Sequence, residues 1–398
     1  MKINRDRLKK DMIKFGEIGK DPGGGITRLP FSKEYNQAAR LYKELLEEEG
    51  LDTVIDPVGN VVGTREGKQN QKALAVGSHL DTVIQGGLFD GALGCLAGLE
   101  IVRTLNENEI KTNHPLWIIA FSAEEGGKWG GTFGSRAMMG LLDYEDPKFI
   151  SHLKELGLSM EDLKECRIGL DDVKSFIEMH IEQGNRLSSK NIPIGLVEGI
   201  VGITRYQVTV LGESNHAGTT PMADRKDAFQ SFAVFAQEVN QRLIKRNDHL
   251  VGTFGVVEIH PNMANIIPGR VEAVIELRHM EQKAIDDFLS QIKEITTEIS
   301  TAEFHFEKLV KKQASFCDEG LLKTLKESCR KKKIPFEVLS SGAGHDANTV
   351  GKKIPSAMIF VPSKQGKSHV PEEWTDWEDI QTGTEVLLEA LMEIDRQS

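Results

Sequence analysis

Cysteine is scarce: the 398-residue chain has four, Cys95, Cys166, Cys317 and Cys329, far apart and without a Cys-x-x-Cys pair. That excludes a disulfide framework and a thiolate zinc site as organising features. Cys95 sits in a run of small apolar residues and reads as core packing. Long apolar runs are also missing. Residues 1–20 carry charges every few positions, and nothing later has the length a bilayer span needs, so a cytoplasmic location without a membrane partner is expected. Nor is there an excess of positive charge. The 49 basic and 60 acidic residues leave a net charge of −11, which argues against nucleic acid as a partner. What remains is ordinary for a globular protein, with 39% hydrophobic and 27% charged residues, no internal repeat and no low-complexity segment. The length calls for about two domains.

The first half alternates helical patterns with short apolar runs. A helix is expected near Phe31 to Gly50, a strand at Ala73 to Ser78, a helix from Gly94 to Leu105 and a strand at Leu116 to Ser122. This order predicts an α/β catalytic domain with a mixed, largely parallel sheet flanked by helices, in which ligands bind beyond the carboxyl ends of strands. From Gly202 the pattern becomes strand (Arg205 to Gly212), helix (Asp227 to Arg246), two strands (Gly252 to His260, Arg270 to His279), helix (Glu281 to Ile299) and strand (near Phe304 to Val310). That β-α-β-β-α-β order is a ferredoxin-like α+β unit. After Lys312 the helix-then-strand alternation returns, and the run Ser356 to Val361 leads into a loop carrying His369. The chain is therefore expected to fold as one domain of residues 1–201 and 313–398, interrupted by a smaller domain of residues 202–312.

Five candidate metal ligands, His79, Asp90, Glu125, His180 and His369, are expected in loops after apolar runs. Imidazole and carboxylate without thiolate suit zinc, manganese, cobalt or nickel, and a bridging carboxylate makes a pair of ions possible. The spacing His79-x-Asp81 allows the Asp81 carboxylate to hold the second nitrogen of the imidazole. Asp90 lies among Gly86, Gly87 and Gly91, where a bent backbone can bring a carboxylate to two ions; alone, the segment reads as a glycine-rich turn with a capping Asp. Glu124 and Glu125 put adjacent like charges after a strand, which is costly unless cations or solvent compensate them. One of the pair can ligate while the other, kept free, serves as general base.

Several strings together resemble one family. They are Gly77-Ser78-His79-Leu80-Asp81-Thr82, Phe89-Asp90-Gly91, Ala123-Glu124-Glu125-Gly126, Glu178-Met179-His180-Ile181-Glu182-Gln183-Gly184, Asn215-His216-Ala217-Gly218-Thr219-Thr220-Pro221-Met222, Asn265-Ile266-Ile267-Pro268-Gly269 and Ser341-Gly342-Ala343-Gly344-His345-Asp346-Ala347. They are similar to the hydantoinase/carbamoylase branch of the M20 metallopeptidase-like amidohydrolases, in the family order, with further matches from Gly24 to Leu29 and at Ser368-His369.

The resemblance implies two divalent metal ions per subunit, with His79 and His180 completing one site, Glu125 and His369 the other, and Asp90 bridging. It places Asp81 behind His79 and makes Glu124 the general base. Gln183, His216, Asn265 and Arg278 would tend the substrate: Arg278 gripping a carboxylate, His216 facing the developing oxyanion, the amide side chains orienting. Without the resemblance, Arg278 reads as a surface salt bridge at a strand end. The loop of Gly344, His345 and Asp346 would line the site, with His345 either there or in a structural hydrogen bond. The implied activity is hydrolysis of a C–N bond other than a peptide bond in a small-molecule ureido or N-acyl amino acid substrate. N-carbamoyl-L-amino acids come first, allantoate close behind, and an aminoacylase-like hydrolase next; a non-catalytic metal- or ligand-binding homologue is the rival of another class. In the relatives the smaller domain is a lid and dimerisation domain, so a homodimer is expected, with substrate-holding residues reaching the neighbouring protomer's site.

Overall fold

The computed structural model describes residues 1–127, 130–143, 145–167, 169–299 and 302–397. It divides into two compact units, Met1–Glu198 with Phe316–Ser398, and Gly199–Ser315. No helix among the described residues is long and apolar enough to cross a membrane.

The first unit is built around a nine-stranded mixed sheet. Its four central strands, in spatial order Leu116–Phe121, Ala73–His79, Val173–Ile181 and Ser356–Val361, run parallel. Val61–Arg65 on one side and Ile194–Ile200 on the other pair antiparallel with them. Every residue of Ala73–His79 and Ser356–Val361 is buried, as expected for parallel strands covered on both faces. The covering helices follow from sequence. In Lys33–Glu48, the Ser32 side chain accepts from the Tyr35 amide, and Tyr35, Ala38, Ala39, Tyr42, Leu45 and Leu46 recur at steps of three and four to form one buried stripe. Helix Ala92–Glu107 lies close against the sheet, Cys95 fully buried within it.

Register brings the strand ends together: His79 lies opposite Phe121, and His180 opposite Phe360. Chemistry-bearing residues at those carboxyl ends are therefore neighbours in space although a hundred positions apart in sequence.

The second unit has strands Gly202–Leu211, Val251–His260, Arg270–His279 and Glu303–Lys312, with helices Ala228–Ile244 and Gln282–Ile299. Numbered within the unit, the sheet order is fourth, first, third, second, all antiparallel, in the expected β-α-β-β-α-β sequence. Strand Arg270–His279 alternates: Val271, Ala273, Ile275 and Leu277 are buried in a core with Phe232, Phe235 and Val239 of one helix and Ile285, Phe288 and Ile292 of the other. Val251–His260 is an outer strand, and it exposes Val251, Val256 and Val257.

Candidate active site

His79 is the last residue of its strand and His180 the penultimate residue of its own, so both belong to strand ends rather than to the loops expected from sequence. Each imidazole Nδ1 faces a backbone carbonyl, Asp81 O at 3.0 Å and Ile181 O at 2.9 Å. A carbonyl only accepts, so each Nδ1 carries the hydrogen and each Nε2 of the neutral ring is left with a lone pair. The two Nε2 atoms are 3.5 Å apart, and each lies 3.3 Å from Asp90 Oδ1, a buried oxygen with no hydrogen-bond partner. Three acceptor atoms thus converge in a buried place; Gly91 N also donates to His180 Nε2 at 3.3 Å, and a cation among the three would satisfy the unpartnered Asp90 oxygen. The chain bends tightly to allow it: Gly91 sits at φ 66, and a Cβ there would lie 2.3 Å from His79 Nδ1.

The other oxygen of Asp90 faces a second set. His369 Nε2 lies 3.4 Å from Asp90 Oδ2 and 3.3 Å from Glu125 Oε1, which is likewise buried without a hydrogen-bond donor. Asp90 and Glu125 hold the His369 imidazole up at about 10. His79, Asp90 and His180, and Asp90, Glu125 and His369, each bring ligand atoms within 4.8 Å of one another. The donors are nitrogen and oxygen only, and the unpartnered oxygens point into each set, so these residues fit a pair of divalent ions bridged by Asp90.

Asp81 acts differently from the spacing-based expectation. Its carboxylate is 3.9 Å from His79 Nδ1, and the backbone carbonyl orients that ring instead. The carboxylate oxygens accept from the consecutive amides of Glu124 at 3.2 Å and Glu125 at 3.0 Å. Glu124 Oε2 lies 3.9 Å from His79 Nε2, at the edge of the first set. Burial pushes the Glu124 carboxyl well above the usual range, and Asp346, Glu125 and Asp81 add to this against the opposing pull of His79. Ala123, Gln183 and His369 all adopt left-handed backbone, φ 54, 57 and 61, a conformation costly for residues with a Cβ.

Gln183 also joins the site: its Nε2 donates to Asp90 Oδ2 at 2.8 Å, and its Oε1 is buried without a partner. Gly344 is exposed, beside the buried His345, whose ring packs on His180 at 4.6 Å between centroids and whose Nε2 is 2.9 Å from Ser341 Oγ. In the second unit, the strings around His216 and Asn265 are zipped together, with Ala217 N donating to Asn265 O and Ile267 N to Asn215 O. Gly218 N donates to His216 Nδ1 at 3.0 Å, so neutral His216 carries its hydrogen on the exposed Nε2. Arg278 pairs with Glu276, 2.6 Å away. Two groups escaped the sequence reading. Glu178, which accepts from Ser78 Oγ and Ala347 N, was detectable as the residue two before His180 on the same strand face. Glu373, which contacts the Asp90 loop, carried no periodic signal.

Residues 75–393 match the sequence profile of Peptidase family M20/M25/M40. The chain is 37% identical over 406 residues to an N-carbamoyl-L-amino-acid amidohydrolase of Pseudomonas sp. (strain NS671), with 98% of each covered. It is 35% identical over 398 residues to an allantoate amidohydrolase of Escherichia coli (strain K12), with 96% of each covered. Among solved structures it is similar to an amidase of the hydantoinase/carbamoylase family from Burkholderia multivorans, with TM-score 0.88, 28% identity and 98% of both chains covered.

Proposed function

The chain belongs to peptidase family M20/M25/M40, and from that premise we propose that it is a two-metal amidohydrolase that cleaves the ureido C–N bond of N-carbamoyl-L-amino acids. One water is consumed, and the free amino acid, ammonia and carbon dioxide are released. Asp90 carries the reading: one buried carboxylate presents each oxygen to a separate donor set, next to a glutamate that burial holds protonatable.

His79, His180 and Asp90 would hold one ion and Glu125, His369 and Asp90 the other. Zinc, manganese, cobalt or nickel would each suit these donors. Two such ions supply a lowered pKa for water and polarisation of the substrate carbonyl. The chain's own groups do the rest. Glu124 takes the proton of the attacking water and returns it to the leaving nitrogen, a service worth about 10² to 10⁴ in rate. Asp81 holds Glu124 and Glu125 at the correct reach through their amides. His216 offers its Nε2 hydrogen to the oxyanion, Arg278 binds the carboxylate bidentately, and Gln183, Asn265 and the Gly344 loop orient the ureido group.

A second reading, allantoate as the substrate, has the E. coli relative in its favour at nearly the same identity. Both substrates place a carboxylate beside a ureido carbon, so the same groups serve either. Metal-reconstituted protein offered N-carbamoyl amino acids, allantoate and N-acyl amino acids, with ammonia and free amine followed separately, decides between them. No turnover of any would sink the enzymatic reading and leave the non-catalytic binding homologue.

We further infer a homodimer with shared sites. Eight strand steps separate Arg270 from Arg278, about 27 Å at 3.4 Å per residue, and the His216–Asn265 pair lies beyond the Arg270 end. A substrate of amino-acid size cannot touch both ends at once. One protomer would therefore supply His216 and Asn265 and the other Arg278, in two equivalent composite sites. The exposed outer strand Val251–His260 offers an edge for the contact. Glu124→Gln refolded with His216→Ala, and separately with Arg278→Ala, tests this. One of the two mixtures should recover activity; recovery in both or neither, with mixed dimers demonstrated, would refute the split.

A further inference from the structure

We infer that Glu373 is a positioning residue that sets the spacing between Asp90 and His369, tying together the two loops that build the second donor set. The inference rests on the metal-site reading above. Glu373 is 3% exposed, and among the described residues no lysine or arginine pairs with it. A buried carboxylate without a cation is costly unless hydrogen bonds repay it, so its contacts say why it is there. Its Oε1 accepts from two consecutive amides, Phe89 N at 2.8 Å and Asp90 N at 3.0 Å, where the chain enters helix Ala92–Glu107. Its Oε2 lies 3.2 Å from Ser368 Oγ. Ser368 is the neighbour of His369, and its hydroxyl donates to Asp90 Oδ2 at 2.9 Å.

One side chain therefore holds the backbone of the bridging carboxylate from the loop that carries His369, and lies within reach of the hydroxyl that ties the residue beside His369 to that carboxylate. The loop makes room for it: a Cβ on Gly87 would lie 2.1 Å from Glu373 Oε1. His369 is half-exposed and sits at φ 61, so nothing in its own burial or backbone preference keeps it facing Asp90. The Ser368 link does. Ser368 has a single hydroxyl proton and two carboxylate oxygens within reach, and the shorter contact shows that Asp90 receives it. An amide at position 373 would keep one oxygen for both backbone N–H groups and offer its own N–H to Ser368 Oγ, leaving the geometry intact.

The test is calorimetric titration of metal-free protein with Zn²⁺ alone, so that it reads affinity at each site and not turnover. Wild type is expected to take two ions. Ser368→Ala cuts only the hydroxyl link and should weaken one ion by about tenfold or more while leaving the other within about threefold. Glu373→Leu removes the anchor of the bridging residue and should weaken both by at least about tenfold, and Glu373→Gln should restore both to within about threefold of wild type. If Glu373→Leu fails to fold, Ser368→Ala and Glu373→Gln still decide. Ser368→Ala weakening neither ion or both equally, Glu373→Leu binding as wild type does, or Glu373→Gln failing to restore binding would each overturn the role of Glu373. A wild type that binds no ion would overturn the metal-site reading itself.

Discussion

Asp81→Asn separates two accounts of the same residue. In the structure the buried Asp81 carboxylate gives one oxygen to the Glu124 amide and one to the Glu125 amide, while its backbone carbonyl orients His79. Asparagine has one acceptor oxygen; its NH₂ would face a backbone N–H, leaving a buried amide unsatisfied. Hydrogen bonds to charged groups are worth about 1.5–3 kcal/mol, and an orphaned buried donor costs about 1–3 kcal/mol. Burial pushes the Asp81 carboxyl up, so removing its charge recovers part of that cost. A net loss of about 2 kcal/mol is expected, with Ala123 then free to relax from its left-handed conformation at φ 54 and carry Glu124 and Glu125 out of place. In rate, 2 kcal/mol is about 30-fold. Urea unfolding of the metal-free protein should show the stability loss, ammonia release the fall in kcat, and metal titration a weaker second ion with the His79 ion little changed. An unchanged unfolding midpoint with kcat within about twofold would refute the clamp. Loss confined to the His79 ion would return Asp81 to the imidazole-holding role its spacing suggests.

Chelation should remove up to two divalent ions per chain and abolish activity, with elemental analysis as the measure; Asp90→Asn should weaken both ions and His369→Ala mainly one. Activity after complete metal removal would end the two-metal mechanism. Glu124→Gln should stop turnover with metal content and substrate binding nearly intact, whereas Glu125→Gln should lower metal occupancy; the reverse pair of phenotypes would exchange their roles. Away from the site, burial and then Asp376 and Glu378 push the Asp379 carboxyl up to about 6. Its unfolded value is about 3.9, so the folded state holds this proton more tightly; the stabilisation is full below about pH 4 and lost as pH rises through about 6. Asp379→Asn should abolish that pH dependence, worth about 1 kcal/mol after discounting for partial exposure. Equal urea midpoint-versus-pH slopes for wild type and variant would refute it.

The elements legible in the sequence are those whose hydropathy pattern the site does not interrupt. Strand Arg270–His279 alternates and strand Ser356–Val361 is apolar at every position after Ser356, so each announces itself. Val173–Ile181 is as buried as its neighbours, yet it reads V-K-S-F-I-E-M-H-I. Its Ser175, Glu178 and His180 are buried polar residues, and they break the apolar run that would have marked a central strand. Here function obscured fold, as expected where local rules give way at a site. The candidate ligands were legible for a complementary reason: imidazoles and carboxylates after apolar runs are chemically conspicuous, and the family resemblance supplied their grouping.

What stayed hidden runs through the main chain. His79 is oriented by a carbonyl, Glu124 and Glu125 are held by their amides, and Asp90 is anchored at its amide by Glu373. Residue identity is silent about such bonds, because every residue but proline has the same N–H and C=O. The turns that aim those groups give no warning either. Glycine at Gly91 hints at a left-handed backbone, but Ala123, Gln183 and His369 adopt one with no compositional sign. A side chain there disfavours the conformation by about 1–2 kcal/mol, so each must be held by contacts from elsewhere in the fold. For Ala123 that contact is the Asp81 carboxylate on the two following amides, and for His369 it is the Ser368 hydroxyl on Asp90, itself within reach of Glu373. Two buried acids, Asp81 and Glu373, thus stand behind the turns that carry the functional groups.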